Sequence, residues 1–173
     1  DMTGASLSLS GDGNVLAIGN PRLGNNGHVS VYAIEQGSWQ QVGQDLIANN
    51  STPGVVSLSF YGKTIAIGSI SNDDAGNNAG RVQVFKRGEV DEWIQIGSDL
   101  IGASLDDYSG SSISLSADGT IVAVGSPGEV GGDDSSGHVD IYQLIEGEWD
   151  QLGTTIYGEA VGDHSGVVSL SSD

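Results

Sequence analysis

Two loops gather the oxygen donors from which a hard cation site is built. Asn72, Asp73, Asp74, Asn77 and Asn78 lie in one, and Asp133, Asp134 and Ser135 in the other. Carboxylates and amide carbonyls at this density are the ligands calcium takes, so Asp73, Asp74, Asp133 and Asp134 are the candidate metal residues and Ca2+ the candidate cofactor. The alternative is a pair of solvated loops. The corresponding stretch nearer the start, "NPRLGNNG", has Arg22 and no carboxylate, so metal binding is not built into the pattern.

His28 and His138 each follow a glycine and precede a valine, and Arg81 takes that place between them. Arginine cannot offer a lone pair, so interchange with it argues against ligation or catalysis and for surface residues on strands. His164 stands between Asp163 and Ser165, but no Gly-x-Ser-x-Gly turn accompanies it, and no catalytic residue is assigned. Trp39, Trp93 and Trp149 could stack on sugar rings; their regular return is explained more simply by packing between repeated units, as are Tyr32, Phe85 and Tyr142. Gln41, Gln95 and Gln151, two residues after each tryptophan, are expected to satisfy backbone groups. Asp107 and Asp163 open the turns "DYSG" and "DHSG", which suit side-chain capping of loose N–H groups. Asn49 and Asn50 begin two overlapping Asn-x-Ser/Thr triplets, the acceptor pattern for glycosylation in an exported protein.

These residues sit on a strongly acidic background. Over 173 residues, 5 Lys and Arg face 23 Asp and Glu, a formal charge of −18 that repels nucleic-acid phosphates and anionic membranes. Cysteine is absent, which excludes disulfides and thiolate metal sites. No apolar run approaches the roughly 20 residues of a membrane helix, and no signal peptide opens the chain, so any such segment is expected outside it.

The element that must position the candidates is a repeat. "GHVSVYAI", "GRVQVFKR" and "GHVDIYQL" begin at Gly27, Gly80 and Gly137, 53 and 57 residues apart. Upstream of each lie "VLAIGN", "TIAIGS" and "IVAVGS", and before those "SLSLS", "VVSLS" and "SISLS", with a further "VVSLS" from Val167. Alternation of apolar and small polar residues reads as strands of period two, and the nearly all-apolar second strand reads as covered on both faces. Ala17, Ala66 and Ala123 recur there, as a tight layer requires. A fourth strand is read from each tryptophan onward ("WQQVGQDL", "WIQIGSDL", "WDQLGTTI"). The fold expected is all-β: four-stranded antiparallel blades, β-propeller-like, with blade 1 at 1–52, blade 2 at 53–106, blade 3 at 107–162 and the first strand of a further blade at 163–173. A linear stack of the same sheets is the rival.

The stretches "GASLSLSGDGNVLAIGNPRLGNNGHVSVY" and "GSSISLSADGTIVAVGSPGEVGGDDSSGHVDIY" resemble the FG-GAP repeat of integrin α-type propellers. "WIQIGSDLIGASLDDYSGSSISLSADGTIVAVGS" is similar to a variant common in secreted or surface proteins of algae and marine bacteria. The resemblance implies an extracellular or cell-surface, non-enzymatic structural or adhesive segment. Its partners would be further blades, other copies of the chain, or a protein or glycan ligand, without nucleic acid or membrane insertion. The alternative is a calcium-dependent lectin-like carbohydrate-binding module. Calcium-binding members of that family use an acidic loop between the first two strands, which here is only "SGDGN", "FYGKT" or "SADGT".

Overall fold

The computed structural model describes residues 4–21, 27–47, 53–128 and 136–171. Fifteen strands and no helix occur among them. The first sheet comprises β1 (Ser6–Leu9), β2 (Val15–Asn20), β3 (His28–Glu35), β4 (Ser38–Gln41) and β5 (Leu46–Ile47). The second repeats this with β6 (Val55–Leu58), β7 (Thr64–Ser69), β8 (Arg81–Arg87), β9 (Trp93–Gln95) and β10 (Leu100–Ile101). The third has β11 (Ser112–Leu115), β12 (Ile121–Ser126), β13 (His138–Ile145), β14 (Glu148–Gln151) and β15 (Ile156–Tyr157). Each is an antiparallel meander, and in each the third strand pairs at its start with the shortest strand and at its end with the tryptophan strand.

The sheets stack face to face because none can bury both faces alone. Val15, Ala17, Val29, Val31 and Leu46 of the first meet Val56, Leu58, Ile65, Ile67 and Trp93 of the second. On the other side of β7, Ala66 joins Val82, Val84 and Leu100 against Ile113, Leu115, Val122, Val124 and Trp149. Every residue of β7 is therefore buried, whereas Leu16 and Ile18 of β2, which lack a preceding sheet, are only half-buried. Serine hydroxyls tie the inner strands across the stack: Val56 and Leu58 donate their N–H groups to Ser6 and Ser8 Oγ, and Leu115 donates to Ser57.

The hairpin between the first two strands is closed by a small box. Ser116 Oγ donates to Asp118 at 2.7 Å and accepts the Ile121 N–H, while the same carboxylate oxygen accepts the Thr120 N–H and hydroxyl. Gly119 supplies the left-handed corner at φ 75°. These bonds, led by the Ser116 hydroxyl, hold the Asp118 carboxyl below its ordinary 3.8; Ser10 and Asn14 do the same for Asp12. A carboxyl depressed on folding contributes stability above its unfolded value and loses it as pH falls through the folded one. The melting temperature is therefore expected to drop as pH is lowered from about 5 to 3, and Asp118→Asn to flatten part of that drop in a thermal scan. An unchanged pH slope contradicts the role given to this turn.

Two expectations are corrected here. The fourth strand of each sheet is split in two by a left-handed glycine, Gly43, Gly97 or Gly153. A Cβ on Gly43 would lie 2.7 Å from Trp93 Cδ1, and one on Gly97 2.5 Å from Trp149 Cδ1, so the interruption makes room for the next sheet's indole. Val168 and Leu170 hold the expected place, but no strand is formed at 166–171, since a strand needs a backbone ladder and these two N–H groups go to the Ser112 and Ser114 hydroxyls instead.

Candidate functional site

The start of the third strand carries a polar node in every sheet. Residues three places apart from the repeated glycine and six from the tryptophan meet there because β3, β8 and β13 pair with the short strands that follow. In the first sheet Ser30 Oγ and Gln41 Nε2 both donate to Asp45, at 2.9 and 2.8 Å, and His28 Nε2 stands 3.2 Å from the Asn20 amide. In the second, Gln83 and Gln95 donate to Asp99 Oδ1 at 3.0 and 2.7 Å, while Arg81 Nη1 reaches Asp99 Oδ2 at 3.2 Å and Asp74 at 3.3 Å. In the third, the carboxylate changes strand. Asp140 takes the place of Ser30 and Gln83, Thr155 takes that of Asp45 and Asp99, and Thr155 Oγ1 and Gln151 Nε2 donate to Asp140 at 2.6 and 2.9 Å.

His138 completes the third node. Its Nε2 lies 3.5 Å from Asp140 Oδ2 and its Nδ1 3.8 Å from Asp107 Oδ1, with all three side chains largely buried. Asp107 comes from the turn leading into the sheet, where its other oxygen accepts the Ala103 N–H. The Tyr157 ring stands 5.8 Å from the imidazole. Tyr142, next along the same face of β13, has its phenol pushed up to about 12, chiefly by burial and then by the charges of Asp140 and Asp107. This is a histidine with two fixed carboxylates and no tight hydrogen bond to either.

Several sequence expectations change against this geometry. Arg81, His138 and His28 are not free surface residues; each is held in a node, Arg81 almost wholly buried. Gln41, Gln95 and Gln151 spend their amides chiefly on side chains, with one backbone bond, from Gln95 to Gly97. The exchange of Asp45 and Asp99 for Asp140 was readable in the aligned repeats as a carboxylate lost at one place and gained at another. His164 Nδ1 lies 3.3 Å from the Pro127 carbonyl and Asp163 caps the Ala160 N–H, so the two do not form a relay.

Of the candidate calcium ligands, Asp73 accepts the Asn78 N–H at 2.7 Å. Asp74 accepts from Asn72 Nδ2 and from Arg81, so a guanidinium stands where a cation would. Asp133 and Asp134 lie outside the described residues, as do the glycosylation candidates Asn49 and Asn50. Among the described residues no group of three or more His, Asp or Glu side chains is placed to hold a metal ion. Trp93 and Trp149 pack between sheets, with their Nε1–H groups donating to Val42 O at 3.0 Å and Ile96 O at 2.9 Å; Trp39 remains 43% exposed. Gly80 and Gly137 bridge in parallel to Ser109 and Ser165, and Gly27 is packed against Pro53. No helix among the described residues is long and apolar enough to cross a membrane.

No family model matches the chain, and no curated protein does. Solved structures do. A "putative 6-phosphogluconolactonase" of Bacteroides uniformis superposes with a TM-score of 0.57 at 16% identity over 90% of this chain and 40% of its own. That of Bacteroides fragilis gives 0.58 at 18% over 88% and 38%. The periplasmic gluconolactonase of Pseudomonas aeruginosa gives 0.55 at 20% over 90% and 42%. The chain thus spans about two fifths of the length of the structures it resembles. The expectation of a non-enzymatic adhesive segment, with a calcium-dependent lectin-like module as its alternative, is corrected: these neighbours bear the names of lactonases, not of adhesive or lectin proteins. At such identities the likeness carries the fold, which is all-β and β-propeller-like, three blades with the first segment of a fourth.

Proposed function

We propose that this chain supplies three blades of an exported propeller-type hydrolase for a small, neutral cyclic ester, with His138 as general base. The observation that carries the reading is the imidazole standing 3.5 and 3.8 Å from two carboxylates that are themselves held by Gln151, Thr155 and the Ala103 N–H. A carboxylate beside one ring nitrogen fixes the orientation of the imidazole, and the other ring nitrogen is then the one that takes the proton from water. In the reaction, water gives a proton to His138 as its oxygen bonds to the ester carbonyl carbon. The tetrahedral intermediate then expels the ring oxygen, which takes that proton back, leaving an open hydroxy acid. A charge of −18 disfavours phosphorylated substrates and favours uncharged ones. The lactonase names of the structural neighbours support the ester class. Export is supported by the acceptor triplets at Asn49 and Asn50, by the likeness to FG-GAP repeats and by a periplasmic neighbour.

Hydrolysis of glucono-δ-lactone followed by pH-stat tests the reading. Turnover above the spontaneous rate is expected, falling roughly 100-fold or more in His138→Gln and unchanged in His28→Gln, the same repeat place in the first sheet. A wild-type rate equal to the uncatalysed one overturns it.

A further inference from the structure

We infer that the uncovered face of the third sheet around Gly153 is a socket for Trp39 of a second copy of this chain. The molecule builds the same joint twice. Trp93 lies over Gly43 and donates to Val42 O; Trp149 lies over Gly97 and donates to Ile96 O. Each joint is reinforced beside the glycine: Gln44 pairs with both backbone groups of Trp93, and Ser98 gives two hydrogen bonds to Glu148.

The third copy of each half is present and unfilled. Gly153 has the same left-handed backbone, φ 79°, with open space within 4 Å where Gly43 and Gly97 meet a ring, and Leu152 stands in the place of Val42 and Ile96. At the opposite end, Trp39 is 43% exposed, on the sheet whose Leu7 and Leu9 are 61% and 57% exposed although their counterparts Val56, Leu58, Ile113 and Leu115 are buried. One end has the indole without its glycine, the other the glycine without its indole. A second copy supplies both, continuing a joint whose geometry is already set, in a heterologous head-to-tail contact.

The segment 167–171 competes for the same place. By the pattern of Val56 and Leu58, the N–H groups of Leu7 and Leu9 in a docked copy would use Ser112 and Ser114 Oγ, which now accept from Val168 and Leu170. Docking therefore displaces this segment. Two chains of charge −18 also repel, so the contact strengthens with salt.

Light scattering across concentration tests this, with far-UV circular dichroism confirming that each variant folds. A chain lacking residues 167–173 is expected to associate beyond its 17.6 kDa parent mass at least tenfold more tightly than the full chain, and more tightly still at 0.5 M than at 0.15 M salt. In that background Trp39→Ala and Gly153→Ala each weaken association at least tenfold. Gly147→Ala, at an equally left-handed glycine with open surroundings, does not. Mixing the two weakened variants restores a species of twice the chain mass and nothing larger, because each keeps one working half. A shortened chain that stays monomeric, or association that survives Trp39→Ala, overturns the inference. Neither outcome bears on His138 or lactone turnover.

Discussion

Replacing Trp93 by alanine is expected to cost about 3–5 kcal/mol of unfolding free energy, against about 0.5 kcal/mol for the same change at Trp39. The two residues share a repeat position, and the difference lies wholly in what covers them. Trp93 is 4% exposed among Val15, Val31 and the β6 and β7 side chains, and its indole N–H satisfies the buried Val42 carbonyl. Alanine leaves a ring-sized cavity and an unpartnered buried carbonyl at once. Trp93→Phe keeps most of the volume and loses the hydrogen bond, so it should fall between, at about 1–2 kcal/mol. Urea titration of the three variants gives the comparison. Equal losses at Trp93 and Trp39 would mean that the joint between sheets does not hold the stack together. Because a domain of this size has about 5–15 kcal/mol in all, Trp93→Ala should sit close to unfolding.

The same joint shows how far the sequence could be read. Period-two alternation in "SLSLS" and the unbroken apolar run of "TIAIG" place strands and predict that β7 is covered on both faces, because side-chain direction in a strand is a local property. Tryptophan packing between repeats was legible for the same reason. What stayed hidden depends on neighbours. Leu7 and Trp39 carry the pattern of core residues yet face outward, since the chain places no sheet against them. Gly43 reads as one residue of a fourth strand, and only contact with Trp93 explains why the strand must break there.

The candidate site was hidden differently. Exchange of His28 and His138 with Arg81 argued for surface residues, because a lone pair is the usual reason a histidine is special. Carboxylate pairing is a second reason, and arginine meets it as well as histidine does. In the third sheet that second requirement is what leaves an imidazole between Asp107 and Asp140. The role of the molecule was the least legible, since one repeat type serves binding and hydrolysis alike and function resides in a few side chains grafted on it.

That exchange leads to the second large effect, at Arg81. Its guanidinium is almost wholly buried and reaches Asp99, whose other oxygen is taken by Gln83 and Gln95, and Asp74 at the rim of the loop. Arg81→Leu leaves Asp99 Oδ2 without its cation in a half-buried place, and a cost of about 2–3 kcal/mol is expected, below the full figure for a buried pair because Asp74 is more than half exposed. Arg81→His installs the residue used by the sheets on either side, facing Asp74 and Asp99. Those carboxylates would raise its folded pKa above the ordinary value of about 6.5. Its contribution is then complete below about 6.5 and is lost as pH rises through the raised value. The deficit of Arg81→Leu in denaturant midpoint against the parent chain should therefore be the same at pH 5.5 and 8.5, while Arg81→His should approach the parent at pH 5.5 and fall toward the leucine variant at 8.5. A histidine variant as unstable at pH 5.5 as at 8.5 would show that the node selects guanidinium shape, not positive charge. The kinship drawn between Arg81 and the imidazole at His138 would then fail with it.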